Sequence, residues 1–135
     1  PVPVRLSNRG LVVDVVPEVG GGIAHFSAAG RPVFARGLEA PAPVRHPGDL
    51  ACFPLVPFSN RIAAGRFDWR GRSVRLAPNW PPHPHPLHGF GWRAPWRVID
   101  LGYSHVVLEH RHASPEWPWA YRCRQRIALE GETLF

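Results

Sequence analysis

The sequence predicts an all-β protein built from antiparallel strands. Seventeen prolines and thirteen glycines in 135 residues disfavour long helices, because each proline removes a backbone donor and fixes φ. Short runs rich in β-branched residues alternate with turn-forming residues along most of the chain. Residues 122–129 also alternate polar and apolar side chains, which is the pattern of a half-buried strand.

The first predicted strands occupy residues 11–16 and 23–28. The first is a β-branched run that stops at Pro17, and a run of three glycines supplies the turn before the second. Residues 31–34 predict a short third strand, which we place at a sheet edge because its proline cannot donate to a ladder.

Two hairpins follow a loop at residues 37–52, where prolines recur. Residues 67–69 and 73–76 flank a turn whose glycine is free to take a positive φ, which predicts the first hairpin. Residues 96–101 and 104–110 flank a Gly-Tyr turn and predict the second.

The remaining segments are a long loop and the last two strands. Residues 77–91 are too rich in proline, histidine and glycine to be regular, and a loop of this length in a compact domain is usually functional or disordered. After the strand at 122–129, a Glu-Gly-Glu turn leads into residues 133–135, which resemble the opening of a further strand.

The net charge of +6 raises the question of a nucleic-acid partner. The arginines are scattered along the chain, and Arg122, Arg124 and Arg126 have the every-second spacing of one solvated strand face. No segment matches a zinc finger or the aromatic motif of an RNA-binding sheet. We therefore predict no nucleic-acid partner.

Cysteine usage and hydropathy bear on location. Cys52 and Cys123 lie far apart without metal-ligand spacing, so we expect two buried thiols in a reducing compartment. No stretch of about 18 apolar residues is present, so no membrane contact is predicted. The chain begins with proline and no apolar segment of a secretory signal follows, so the expected location is cytoplasmic.

Polar groups suited to binding a sugar lie between residues 53 and 96. Asn60 offers two donors and an acceptor, Arg61 a rigid fork of donors, and His88 a proton that exchanges near neutrality. A lone Asn-Arg pair or loop histidine is usually structural, so only the combination carries weight. The apolar face of a sugar also needs an aromatic wall, for which the sequence offers Trp92, Trp96 or Phe90.

The order and spacing of one set of residues closely resemble the aldose 1-epimerase (galactose mutarotase) family. The set is Pro54-Leu55-Val56-Pro57-Phe58-Ser59-Asn60-Arg61-Ile62, Gly65-Arg66-Phe67, Gly71, Asn79, Leu87-His88-Gly89, Trp92 and Trp96. The resemblance implies an antiparallel β-supersandwich, incomplete in this chain. It also implies that Asn60 and Arg61 bind the sugar and that His88 is the first of two active-site histidines.

The resemblance implies interconversion of the α and β anomers of a hexose by acid/base ring opening. In the family the base is a glutamate near the C-terminus and the acid is a second histidine, and neither can be assigned before Phe135. We therefore expect residues 1–135 to form a single domain, the N-terminal part of a longer enzyme, and to be inactive alone. Glu109, expected to face solvent, and Glu116, in a turn, are not expected to replace the base.

Other functions remain open. The alternative is a non-catalytic carbohydrate-binding β domain, and the ligand in either case is a small sugar, a hexose or a hexose phosphate. No cofactor is predicted. Zinc needs three or four converging ligands, so neither histidine cluster is expected to bind metal; the clusters are His83, His85 and His88, and His110 and His112. The oligomeric state is not readable from the sequence.

Overall fold

A computed structural model describes residues 2–34 and 44–135, and within those ranges it contains β-strands and short 3-10 turns but no α-helix. The strands form two four-stranded antiparallel sheets and one separate hairpin. The all-β antiparallel prediction is therefore confirmed. None of the helical segments in these ranges has the length and apolar character needed to cross a membrane.

The first sheet contains four strands in chain order. They are β1 (Val4–Asn8), β2 (Leu11–Val16), β3 (Gly22–Ala28) and β4 (Arg31–Pro32). The predicted second and third of these are confirmed, and β4 is the expected edge strand. β1 is absent from the sequence prediction, because Leu6 is its one fully buried side chain. Of the predicted loop at 37–52, residues 37–43 lie outside the described residues.

The second half of the chain forms a hairpin and the second sheet. Each strand begins and ends within two residues of its predicted position. The hairpin consists of β5 (Arg66–Trp69) and β6 (Arg72–Arg75), and the sheet of β7 (Arg97–Leu101), β8 (His105–His112), β9 (Tyr121–Glu130) and β10 (Thr133–Leu134), in the order β10-β9-β8-β7.

One hydrophobic core joins the two sheets. The same buried cluster contains Val13 and Val15 of β2 and Val106 and Leu108 of β8. Trp96, which immediately precedes β7, is also buried in this cluster. The amide of Asn8 in β1 also donates to the carbonyl of Leu129 in β9 at 3.2 Å. The two sheets therefore pack as a sandwich, since burying one face of each is what stabilises both.

The prediction of two buried thiols is wrong for Cys52. Its side chain is exposed, because the backbone of this residue bridges to Ile23 of β3 and leaves the thiol outside the core. Cys123 is half-buried, and burial raises the pKa of its thiol. Both cysteines are free of disulfides.

The prediction that Glu109 faces solvent is also wrong. Its position in β8 is on the outer face of the sheet, but arginine side chains from three strands cover it, and its side chain is 1% exposed. The register places it opposite residues of both neighbouring strands. Its carboxylate oxygens accept hydrogen bonds of 2.7–3.1 Å from the guanidinium nitrogens of Arg97, Arg111 and Arg124.

The Glu109 carboxylate makes stability depend on pH. The hydrogen bond from Arg124, with those from Arg111 and Arg97, outweighs burial and lowers the pKa of Glu109 from 4.5 to about 2. A depressed folded-state pKa contributes stability that is present above the unfolded-state pKa and is lost as the pH falls through the folded-state value.

We expect Glu109→Gln to lower the free energy of unfolding at neutral pH, because it leaves three arginines without their shared carboxylate. The difference from the unmodified chain should shrink as the pH falls from about 4.5 toward about 2. Denaturant unfolding across that range measures it, with the exposed Glu132→Gln as control. A difference independent of pH contradicts the assignment.

Candidate functional site

The candidate site is built from two loops, residues 54–62 and 86–91, which are joined by backbone bonding. Prolines and glycines keep both segments out of regular strands, so isolated bridges replace a ladder. The bridges pair Arg61 with Leu87 in antiparallel fashion and Val56 with Gly89 in parallel fashion. Residues separated by about 30 positions in the sequence thus become neighbours.

His88 and Asn60 hold each other through a reciprocal pair of hydrogen bonds. The backbone N–H of His88 donates to the carbonyl of Asn60 at 2.8 Å. The backbone N–H of Asn60 donates to Nδ1 of the His88 imidazole at 2.9 Å. Because a backbone amide is always the donor, Nδ1 is the acceptor, and the neutral imidazole carries its proton on Nε2.

Both residues adopt the left-handed backbone conformation, with φ of 60° at Asn60 and 59° at His88. Such conformations cost on the order of 1–3 kcal/mol each in residues other than glycine and persist where the surroundings enforce them. Asparagine tolerates this region better than histidine does. Specific contacts therefore hold His88 in this strained conformation.

Arg61 completes the polar group. Its guanidinium donates to Oδ1 of Asn60 at 3.1 Å, and both side chains are exposed. Burial lowers the pKa of His88, and the positive charge of Arg61 lowers it further. His88 is therefore neutral near pH 7 and presents an N–H donor. The structure thus brings Asn60, Arg61 and His88 together, as the sequence predicts.

Trp92 lies beneath the imidazole and away from solvent. It is 1% exposed, and its indole N–H donates to the carbonyl of Gly89 at 3.1 Å. Its ring meets the edge of His88 at a centroid distance of 5.7 Å and stacks against Phe53 and Trp80. Direct contact of Trp92 with a sugar stays a prediction, and this burial favours a role in supporting His88.

The other two predicted aromatic residues also pack inward. Trp96 is 4% exposed and donates its indole N–H to the carbonyl of Gly91 at 2.8 Å. Phe90 stacks on His112 at 4.3 Å. A further cluster of partly exposed aromatic side chains adjoins the loop of residues 54–62 through Phe58. Its members contact one another and are Phe58, Phe67, Trp117 and Trp119. The Trp-Pro-Trp sequence is the signal for this cluster.

The remaining histidines and carboxylates have other surroundings. Nδ1 of His85 accepts from the backbone of Ala64 at 3.0 Å, and His110 bonds to the hydroxyl of Tyr121 at 3.1 Å. Across the part of the chain that the structure describes, no three His, Cys, Asp or Glu side chains converge as metal ligands would. Glu116 is exposed and borders a cavity of about 420 Å³ beside Phe90.

Asn79 is the site-forming residue to which the sequence motif gives no role. Its side-chain amide bonds to the backbone on both sides of His88. Nothing in the spacing of the sequence predicts these bonds, because they depend on how the loop of residues 77–91 turns back on itself.

This antiparallel β-sandwich, with an amide, a guanidinium and an imidazole grouped on two bridged loops, defines a galactose mutarotase-like protein. The profile of the aldose 1-epimerase family matches residues 3–135. The chain belongs to the aldose 1-epimerase family.

The proteins to which this chain is similar are longer than the chain. The chain is 35% identical over 129 residues to the uncharacterized protein YphB of Escherichia coli K12, covering 96% of this chain and 42% of YphB. It also matches the crystal structure of a candidate aldose 1-epimerase from Escherichia coli K12, with a TM-score of 0.81 and 32% identity over 95% of this chain and 42% of that one.

More distant structures share the fold. A galactose mutarotase related enzyme from Lactobacillus acidophilus matches with a TM-score of 0.70 and 15% identity, over 96% of this chain and 39% of that one. The Slr1438 protein of Synechocystis sp. PCC 6803 matches with a TM-score of 0.73 and 22% identity, over 99% and 46%. The chain thus spans less than half the length of these relatives.

Proposed function

We propose that this chain is the N-terminal part of an aldose 1-epimerase and supplies the sugar-binding portion of its active site. The reciprocal bonding of His88 and Asn60, with Arg61 beside them, carries the proposal. These groups offer N–H donors and an amide acceptor within one small region. That combination suits the hydroxyls and the ring oxygen of a hexose or a hexose phosphate.

His88 acts in this proposal as a neutral hydrogen-bond donor. Nδ1 accepts a hydrogen bond from the backbone N–H of Asn60, so the proton of the neutral imidazole is on Nε2. In the proposal, this Nε2–H donates a hydrogen bond to a sugar oxygen. The low pKa of His88 disfavours a transferable imidazolium proton. The proton given to the ring oxygen is therefore assigned to a second acid, which fits the family's use of a second histidine.

The base that removes the anomeric proton is assigned to a residue outside this chain. Glu109 is unsuitable, because its pKa of about 2 and its three arginines make it a very weak, inaccessible base. Within the described residues, no carboxylate hydrogen-bonds to His88. The unsuitability of Glu109 as a base favours the alternative, a non-catalytic carbohydrate-binding domain, for the chain alone. The two unpaired cysteines suit the proposed cytoplasmic location.

Polarimetry on the complete protein that contains this chain tests the proposal. With α-glucose and α-galactose, we expect the complete protein to accelerate mutarotation and residues 1–135 alone to bind sugar weakly without accelerating it. Calorimetric titration measures that binding. If the complete protein binds sugar but does not accelerate mutarotation, the non-catalytic alternative is supported. If neither the complete protein nor residues 1–135 bind sugar, both the epimerase and the carbohydrate-binding hypotheses are contradicted.

A further inference from the structure

The backbone around His88 is in a conformation that needs outside support. His88 and Gly89 are consecutive left-handed residues, with φ of 59° and 69°. The carbonyls and N–H groups on either side of His88 therefore point in directions that no strand or helix satisfies. Whatever satisfies them also determines where the imidazole is held.

One side chain provides most of that support. The Asn79 amide donates to the carbonyl of Leu87 at 2.8 Å and to the carbonyl of Gly89 at 3.1 Å. Its Oδ1 accepts from the N–H of Leu87 at 2.7 Å. Both amide donors and one acceptor position of Asn79 are thus used, on the two residues that flank His88.

Asn79 is itself fixed by a neighbouring residue. Its backbone carbonyl accepts a hydrogen bond from the guanidinium of Arg93, which also lies over the ring of Trp92 at 5.8 Å. The indole N–H of Trp92 donates to the same Gly89 carbonyl that Asn79 bonds. A connected set of groups therefore leads from Arg93 to the residues on either side of His88.

We propose that Asn79 is a positioning residue that holds the His88 imidazole in its donor orientation and does not itself contact the sugar. The proposal rests on the proposed epimerase function. In this role the asparagine amide substitutes for a strand partner, and it cannot be replaced by a group that only accepts.

Asn79→Asp in the complete protein isolates this role. The carboxylate keeps an acceptor for the Leu87 N–H, but it replaces the NH₂ group with an oxygen that has no hydrogen to donate to the Leu87 and Gly89 carbonyls. We expect kcat to fall by about tenfold to a hundredfold with a smaller change in KM, since a small displacement of a group that orients the substrate for reaction has effects of this size. The control is Asn8→Asp, which alters an asparagine bonded to a backbone carbonyl of β9.

Imidazole ¹⁵N NMR supplies a readout independent of activity. We expect the unmodified protein to show His88 as one tautomer protonated on Nε2, Asn79→Asp to show mixed tautomers or a changed His88 titration, and Asn8→Asp to resemble the unmodified protein. Equal kcat and an unchanged tautomer in Asn79→Asp overturn the proposal, as do equal effects from Asn8→Asp. If the complete protein lacks epimerase activity, the proposed function fails while the NMR comparison still tests the positioning.

A second measurement covers the case in which Asn79→Asp does not fold. In the unmodified protein, hydrogen exchange of the Leu87 and His88 amides reports whether their bonds to Asn79 and Asn60 persist. Slow exchange of both amides, at rates like those of the strands, supports the proposal. Exchange at the rate of an exposed loop overturns it.

Discussion

His88→Ala in the complete protein is expected to lower the kcat/KM of mutarotation by more than about tenfold while the fold is retained. The change removes the Nε2–H donor that the Asn60 backbone holds in place. The fold should survive, because His88 is only partly buried and water can reach the Asn60 N–H that loses its acceptor. Polarimetric rates and thermal unfolding measure the two effects.

Arg61→Ala is expected to produce a loss of similar size for a related reason. It removes the fork of donors beside Asn60 and the positive charge that helps to keep His88 neutral. The control for both variants is His83→Ala, which removes an exposed histidine of the 77–91 loop that also carries His88. Unchanged rates in both His88→Ala and Arg61→Ala would defeat the site assignment, and a comparable loss in the control would show that the loop merely unfolds.

The strands were predictable because their signals are local. Alternation and turn residues fix β9 and the two hairpins from neighbouring positions alone, and the structure places them within two residues. β1 escaped the same reasoning because only Leu6 among its five residues is fully buried. Its partner β2 supplies the apolar face that stabilises the pair.

The burial of Glu109 and Trp92 was not predictable, because it depends on contacts between distant residues. The alternation of β8 correctly puts Glu109 on the outer face, but the arginines that cover it come from three strands in a register that no local pattern specifies. Trp92 in a glycine-rich loop suggests an exposed ring. Its burial follows from stacking against Phe53 and Trp80, which precede it by 39 and 12 positions in the sequence.

The meeting of Asn60 and His88 was predicted from the family resemblance and not from periodicity. The two residues are 28 positions apart, and the segment between them includes a hairpin and a proline-rich loop. No periodicity of the sequence indicates how such a segment closes. The physical cause is visible only in the structure, where the Val56 carbonyl accepts from the N–H groups of Phe90 at 2.9 Å and Gly91 at 3.0 Å. Those bonds require a very close approach of Gly89 to Val56 and Pro57.

Gly89→Ala is therefore expected to destabilise the protein more than a glycine replacement of equal backbone strain. An alanine Cβ at this position would lie 2.4 Å from the Val56 carbonyl oxygen and 2.4 Å from Cδ of Pro57, and neither group can move without opening the bridge between the loops. The φ of +69° at this position adds backbone strain to the steric clash. We therefore expect the free energy of unfolding to fall by about 2–5 kcal/mol.

The matched control for Gly89→Ala is Gly71→Ala. Gly71 has a similar φ of +75° but nothing within 4 Å of the added Cβ, so its replacement should cost only about 1 kcal/mol. Denaturant unfolding of both variants measures the difference, which is the steric contribution alone. Because Gly89 adjoins His88, its replacement should also reduce mutarotation, whereas Gly71→Ala should leave it unchanged. Equal stability losses in the two variants would mean that the loops are not held together at Val56 and Gly89.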